Sequence, residues 1–230
     1  MRRTVTAAVV AVAAVLAAVG ASASAIVFTD RASWVAAAGA STFFEDFSGF
    51  VQDTSFRTTS VALDGMAIRQ VGSGSFRNTV DTGPPFDFSE HGGTNHASLF
   101  TNAPGGPTPA VDVEIVFDAP NLAFGFDHWA AADSEGARLE IWDGLTLLGF
   151  HDLSNDFPGF LGYVLDGGDV ASAVRFRSLT SLTSPGDPGE GFGIDSLEGV
   201  AVPEPGSAAL LALGLAALGG RRTLRPRRPR

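Results

Sequence analysis

The chain has 230 residues, no cysteine and a formal net charge of −10, so disulfides, thiol nucleophiles and thiolate metal sites are excluded. All 15 basic residues are arginine, eight of them in the two tails, while all 25 acids fall between Asp30 and Glu204. Residues 26–205 therefore set seven arginines against 25 carboxylates, a net of −18, which excludes nucleic acid and an anionic lipid surface as partners of that part of the chain.

Residues 1–25 read as a signal helix. Arg2 and Arg3 form a charged head, an apolar core runs from Val5 to Val19, and small residues stand at Ala23 and Ala25. Cleavage after Ala25 follows the small-x-small rule, with Ala21 and Ala23 as a competing site. Arg2 and Arg3 sit at the extreme terminus without the rest of a twin-arginine pattern, so the ordinary export machinery is the expected partner.

After the signal, Ile26–Phe28 is a candidate strand. Thr29 or Asp30 can cap a helix through Arg31, Trp34 and Ala38 that ends at Gly39. Beyond Gly39 the chain turns to short apolar runs between Gly, Pro, Asp and Asn clusters, with about ten strands expected. Ser60–Leu63 and Met66–Val71 flank Asp64-Gly65, and Ala137–Trp142 and Leu145–Phe150 flank Asp143-Gly144, both read as hairpins with type I′ turns. Residues 72–106 read as long loops with short strands around Phe76 and Leu99. In VDVEIVFD, Val111, Val113, Ile115 and Phe117 alternate with Asp112, Glu114 and Asp118, which predicts a strand with one core face. LAFGFDHW, from Leu122 to Trp129, follows Pro120 and reads as a second strand beside the first. Ala171–Arg177 and Gly191–Leu197 supply the late strands.

No catalytic constellation stands out. His91 and His96 lie in a Gly-rich loop without the spacing of a zinc-protease helix, and no Gly-x-Ser-x-Gly elbow accompanies His128 or His151. The acids are too many to single out a hydrolytic pair. Asp195 lies where Phe192 and Ile194 take one parity and Leu197 the other, so neither face is plainly wet. A carboxylate with restricted hydration needs a cation or several donors, such as backbone amides or an arginine like Arg175. For sugar stacking the amphipathic aromatics are Trp34, Trp129, Trp142 and Tyr163, and Trp129, beside the loop AAADSEG, is the candidate platform.

Residues 202–230 form a third region. Pro203, Glu204 and Pro205 precede an uncharged run from Ser207 to Gly220, and Arg221 and Arg222 open a cluster holding six of the last ten residues. Fourteen helical residues would span about 21 Å, short of the roughly 30 Å hydrocarbon core, so this is a weak membrane helix suited to a temporary stop. Its arginines belong on the cytoplasmic side, which puts the bulk of the chain outside.

Pro-Glu-Pro, a short membrane helix and an arginine cluster in that order resemble the tail of PEP-CTERM proteins, the bacterial class sorted by exosortase. The resemblance implies exosortase as a partner, passage through the inner membrane, and a final place at the cell surface or outside, often in cells that make exopolysaccharide. Residues 43–199 also resemble a β-sandwich recurrent in that class, through Phe117–Pro120, Gly125–Asp127, Phe160–Gly162 and Ile194–Leu197, with Ser196 where many relatives carry Asn.

The expected architecture is all-β: an antiparallel β-sandwich or jelly roll over residues 26–201 with one short N-terminal helix, between the signal helix and the membrane helix. The likeness of such domains to carbohydrate-binding jelly rolls implies a structural Ca²⁺ joining early and late strands, which points to Glu45, Asp46 and Asp195. The expected function is a non-catalytic surface or matrix protein. Calcium-dependent carbohydrate binding is the alternative, and an extracellular hydrolase the third reading.

Overall fold

A computed structural model describes residues 25–74, 78–82, 95–102, 110–129, 137–153, 159–179 and 190–203. The chain enters through β1 (Ala25–Phe28) and turns into α1 (Arg31–Ala38). Asp30 caps the helix, accepting from the Ser33 amide at 2.8 Å, and Gly39 closes it at φ 92° while its N–H reaches the Val35 carbonyl. The capped helix read from the sequence is therefore present with the expected ends.

Both Asp-Gly hairpins form. β4 (Val61–Leu63) pairs with β5 (Met66–Gly72), and β9 (Ala137–Asp143) pairs with β10 (Thr146–Leu153). The turns differ from expectation: positive φ occurs at Gly65 and Gly144 but not at Asp64 or Leu145, whereas a type I′ turn needs it at both central residues. In the second hairpin Asp143 pairs with Thr146, so the two-residue loop is Gly144-Leu145.

The two runs read as neighbouring strands are one strand, β8 (Val111–Trp129), and do not pair with each other. Its first half lies between β5 and β12 (Ala171–Ser178), its second between β11 (Gly159–Leu165) and β13 (Glu190–Ala201). The segment Asp118–Pro120 is the passage between layers. Pro120 has no N–H to give a ladder, and its carbonyl instead accepts from the Val202 amide at 2.8 Å. One layer thus runs β4-β5-β8-β12-β9-β10 and the other β1-β11-β8-β13. Beyond β13 the second layer continues along β7 (His96–Thr101), β6 (Thr79–Asp81) and β3 (Thr54–Ser55), with β2 (Phe43–Glu45) against the later half of β13. Phe76 lies outside the described residues; the short strand beside β7 is β6.

Between the layers Phe176 of β12 packs 5.5 Å from Phe126 and 5.4 Å from Phe192, and Phe117 sits 5.8 Å from Phe124. These contacts join first-layer rings to second-layer rings and make the sandwich core. A smaller apolar seat lies on the outer face of the second layer. There Trp34 of α1 rests on Gly162, edge-on to Phe160 at 5.8 Å, where a Cβ would collide with the indole.

The outer face of the first layer carries an ionic lattice rather than a plain wet surface. Asp112 and Glu114, expected on the solvent side of β8, are buried there under arginines. Register sets Glu140, Arg175, Glu114 and Arg69 in one row across four strands, with signs alternating. Arg175 and Arg69 both bind Glu114, and Arg177 joins Asp112 to Glu140. Opposite charges directly across strands attract. Burial pushes Glu114 up, but the two guanidiniums outweigh it and leave its carboxyl below the usual range.

Candidate functional site

The chemistry not absorbed by packing collects on the outer face of the second layer, where α1 meets β8 and β13. Ser196 stands at φ 52°, and the β8–β13 register slips between Asp195 and Glu198. This bulge lets Ile194 and Leu197 both enter the core although they are three residues apart, which resolves the conflicting parities around Asp195.

Asp195 is left directly opposite Asp127. Arg31 binds Asp127 at 2.8 Å with one guanidinium nitrogen and Glu198 with the other, and Ser41 Oγ donates to Glu198 at 2.5 Å. The same guanidinium lies over the Phe160 ring, 4.6 Å from its centroid. Asp195 itself accepts from the Ser196 amide at 2.6 Å. Burial pushes its carboxyl up to about 6; the amide bond works against this, Asp127 and Asp46 add to the rise, and Arg31 lessens it.

Of the three residues named for calcium, the structure brings Asp46 and Asp195 within electrostatic reach of each other, together with Asp127. Glu45 turns elsewhere, with one carboxylate oxygen accepting from the Phe47 amide at 2.7 Å and the other from Asp64 at 3.0 Å. Asp46 accepts from the Ser48 amide at 3.0 Å. Among the described residues no group of three or more His, Asp or Glu side chains converges as around one metal ion. Arg175, the arginine named as a partner for Asp195, is engaged with Glu114, and Arg31 is the one that acts on Asp195.

Trp129 is 1% exposed. Its indole covers Gly193 on the neighbouring strand, leaving no room for a Cβ there, and His96 approaches it edge-on at 5.2 Å. The ring expected to face a sugar is turned into the protein instead. His128 and His151 lie between the layers with Tyr163, which sits 5.7 Å from His151. Burial holds His128 down to about 4, with Asp127 opposing and His151 adding to the shift, and burial also lowers His151. His91, Ala23, Glu204, Pro205, Arg221 and Arg222 lie outside the described residues. Ala25 opens β1, and Pro203 follows the last strand.

The Arg31 bridge was not legible in the sequence, because it depends on how α1 docks. The one available signal was scarcity: with seven arginines against 25 acids in the domain, each arginine must serve several carboxylates.

No curated protein matches the chain. Among solved structures it is similar to the catalytic domain of a GH87 alpha-1,3-glucanase in complex with tetrasaccharides, at 13% identity and a TM-score of 0.32, over 71% of this chain and 28% of that one. Residues 201–225 match the model of the PEP-CTERM protein-sorting motif, and that match starts on the last residue of β13. The chain therefore carries a PEP-CTERM protein-sorting motif at residues 201–225, set directly behind the last strand of its β-sandwich.

Proposed function

We propose that this protein is delivered to the cell surface or the surrounding matrix as a non-catalytic β-sandwich. The observation that carries the reading is the sorting motif at residues 201–225, set directly behind the domain's last strand. Such a motif implies export and processing by exosortase. The burial of His128 and the packing of His151 against Tyr163 support a structural role for these imidazoles. The anionic outer face around Asp127 and Asp195 suits neutral or cationic surroundings better than phosphate-rich ones.

The test is fractionation of cells with and without exosortase, with intact mass of the product. Surface or medium localisation, a start at Ile26 and loss of mass near Pro203 are expected with exosortase. Full-length protein in the cytoplasm of exosortase-bearing cells would overturn the reading. Assays for polysaccharide binding and turnover on the same product separate a matrix protein from the sugar-binding and hydrolase alternatives.

A further inference from the structure

The sorting motif begins on a residue that is still part of the fold. The Thr42 amide donates to the Gly199 carbonyl at 2.7 Å, and Thr42 Oγ1 donates to the same carbonyl at 3.0 Å. The Ala201 amide donates to Thr42 Oγ1 at 2.9 Å, and the Val202 amide to the Pro120 carbonyl at 2.8 Å. The backbone is thus pinned up to the residue before Pro203. On the other side, only residues 203–206 separate Val202 from the apolar run that opens at Ser207, at most about 14 Å of extended chain.

An enzyme that reads a peptide needs several residues on each side of its motif in an open, extended form. Here the N-terminal side offers none while the clasp is closed. We infer that Thr42 is a positioning residue for sorting: it holds the end of β13 closed, and Pro203–Pro205 is read when the pairs at Ala201 and Val202 open. The inference rests on the sorting function proposed above. When local opening is fast relative to cutting, the rate of processing follows the population of the open form. Exposed hydrogen bonds of this kind contribute modestly, so their loss should raise that population by about threefold to tenfold.

The experiment is a pulse-chase of the full chain in exosortase-bearing cells, following conversion of tail-bearing to tail-free protein. Thr42→Val, which keeps shape and removes the hydroxyl, is expected to speed conversion by about threefold to tenfold, and Thr42→Ser to leave it at the parent rate. Four Gly/Ser residues inserted between Val202 and Pro203 lie outside the fold and should speed conversion at least as much, with Thr42→Val adding nothing further. Unchanged or slower conversion in Thr42→Val, or no effect of the insertion, overturns the inference. Glu204→Ala separates the two levels: conversion that ignores this change sinks the sorting reading itself, whereas conversion that needs Glu204 but ignores Thr42 and the insertion sinks only the clasp.

Discussion

Asp127 and Asp195 face each other directly across antiparallel strands; Arg31 bonds to the first, whereas the second accepts from the Ser196 amide and feels Arg31 only through its charge. Like charges in this position oppose pairing. The fold therefore carries a local electrostatic cost at the face where helix and sheet meet.

Asp195→Asn should relieve that cost. The carboxyl is pushed up in the folded state to about 6 from the ordinary 3.8, so the folded state holds the proton more tightly. The destabilisation is absent below about pH 4, grows as pH rises, and is complete above about pH 6. At pH 7 the amide variant should be more stable by about 1 kcal/mol, after allowing for solvent screening. Urea unfolding at pH 4 and 7 checks this. A loss of stability at pH 7 would show that the carboxylate is held by a favourable partner, as a bound cation would be.

His128 should produce the opposite slope. Burial holds its folded pKa down to about 4 from the ordinary 6.5, so the unfolded state takes up the proton first and stability falls as pH drops through that interval. The loss should reach about 3 kcal/mol by pH 4. Because Asp195 gains about 1 kcal/mol over much of the same range, it offsets only part of this loss, and the parent profile should fall more gently than the histidine alone would make it. His128→Phe should uncover the Asp195 slope and Asp195→Asn the histidine slope, both readable in thermal unfolding across pH 4 to 7.

Ser196 adopts a left-handed backbone that non-glycine residues enter at a cost. Ser196→Gly and Ser196→Asn should each stabilise the protein by about 0.5–1 kcal/mol, and Ser196→Ala should not. Chemical denaturation of the three variants measures the order. Equal stability for Gly and Ala would contradict the bulge geometry.

Glu114 joins two arginines on the first layer while nearly buried. Glu114→Gln leaves both guanidiniums without their shared counter-ion and should cost about 3 kcal/mol. Arg69→Met, removing the more exposed partner, should cost less than 1 kcal/mol. Comparable losses for the two would mean that the lattice is not centred on Glu114.

The hairpins and the capped helix were legible because each has a local cause: an Asp-Gly pair between alternating runs, or Asp30 before an apolar face. β8 was not, since Pro120 reads as a break between strands and only the partners on each side reveal a strand that changes layer. The facing of Asp195 was ambiguous for a similar reason, as a bulge at Ser196 shifts parity without altering composition. Trp129 was misplaced because its receptor is the absence of a side chain at Gly193, sixty-four positions later. Glu45 and Asp46 are sequence neighbours on opposite sides of a strand end, so adjacency did not make them partners.

The row Ile26, Val164, Ala123, Val200 crosses four adjacent strands. Ala25, where β1 begins, and Ala201, where β13 ends, therefore lie at the same side of the layer, about 14 Å apart. Three of the four neighbours of β8 lie after it in the sequence, and β1 has no partner until β11 is made. The sheet around β8 therefore cannot close until β11, β12 and β13 have all been made, so the fold completes only near the end of the chain. Closure is therefore late and cooperative, with the first and last strands completed together.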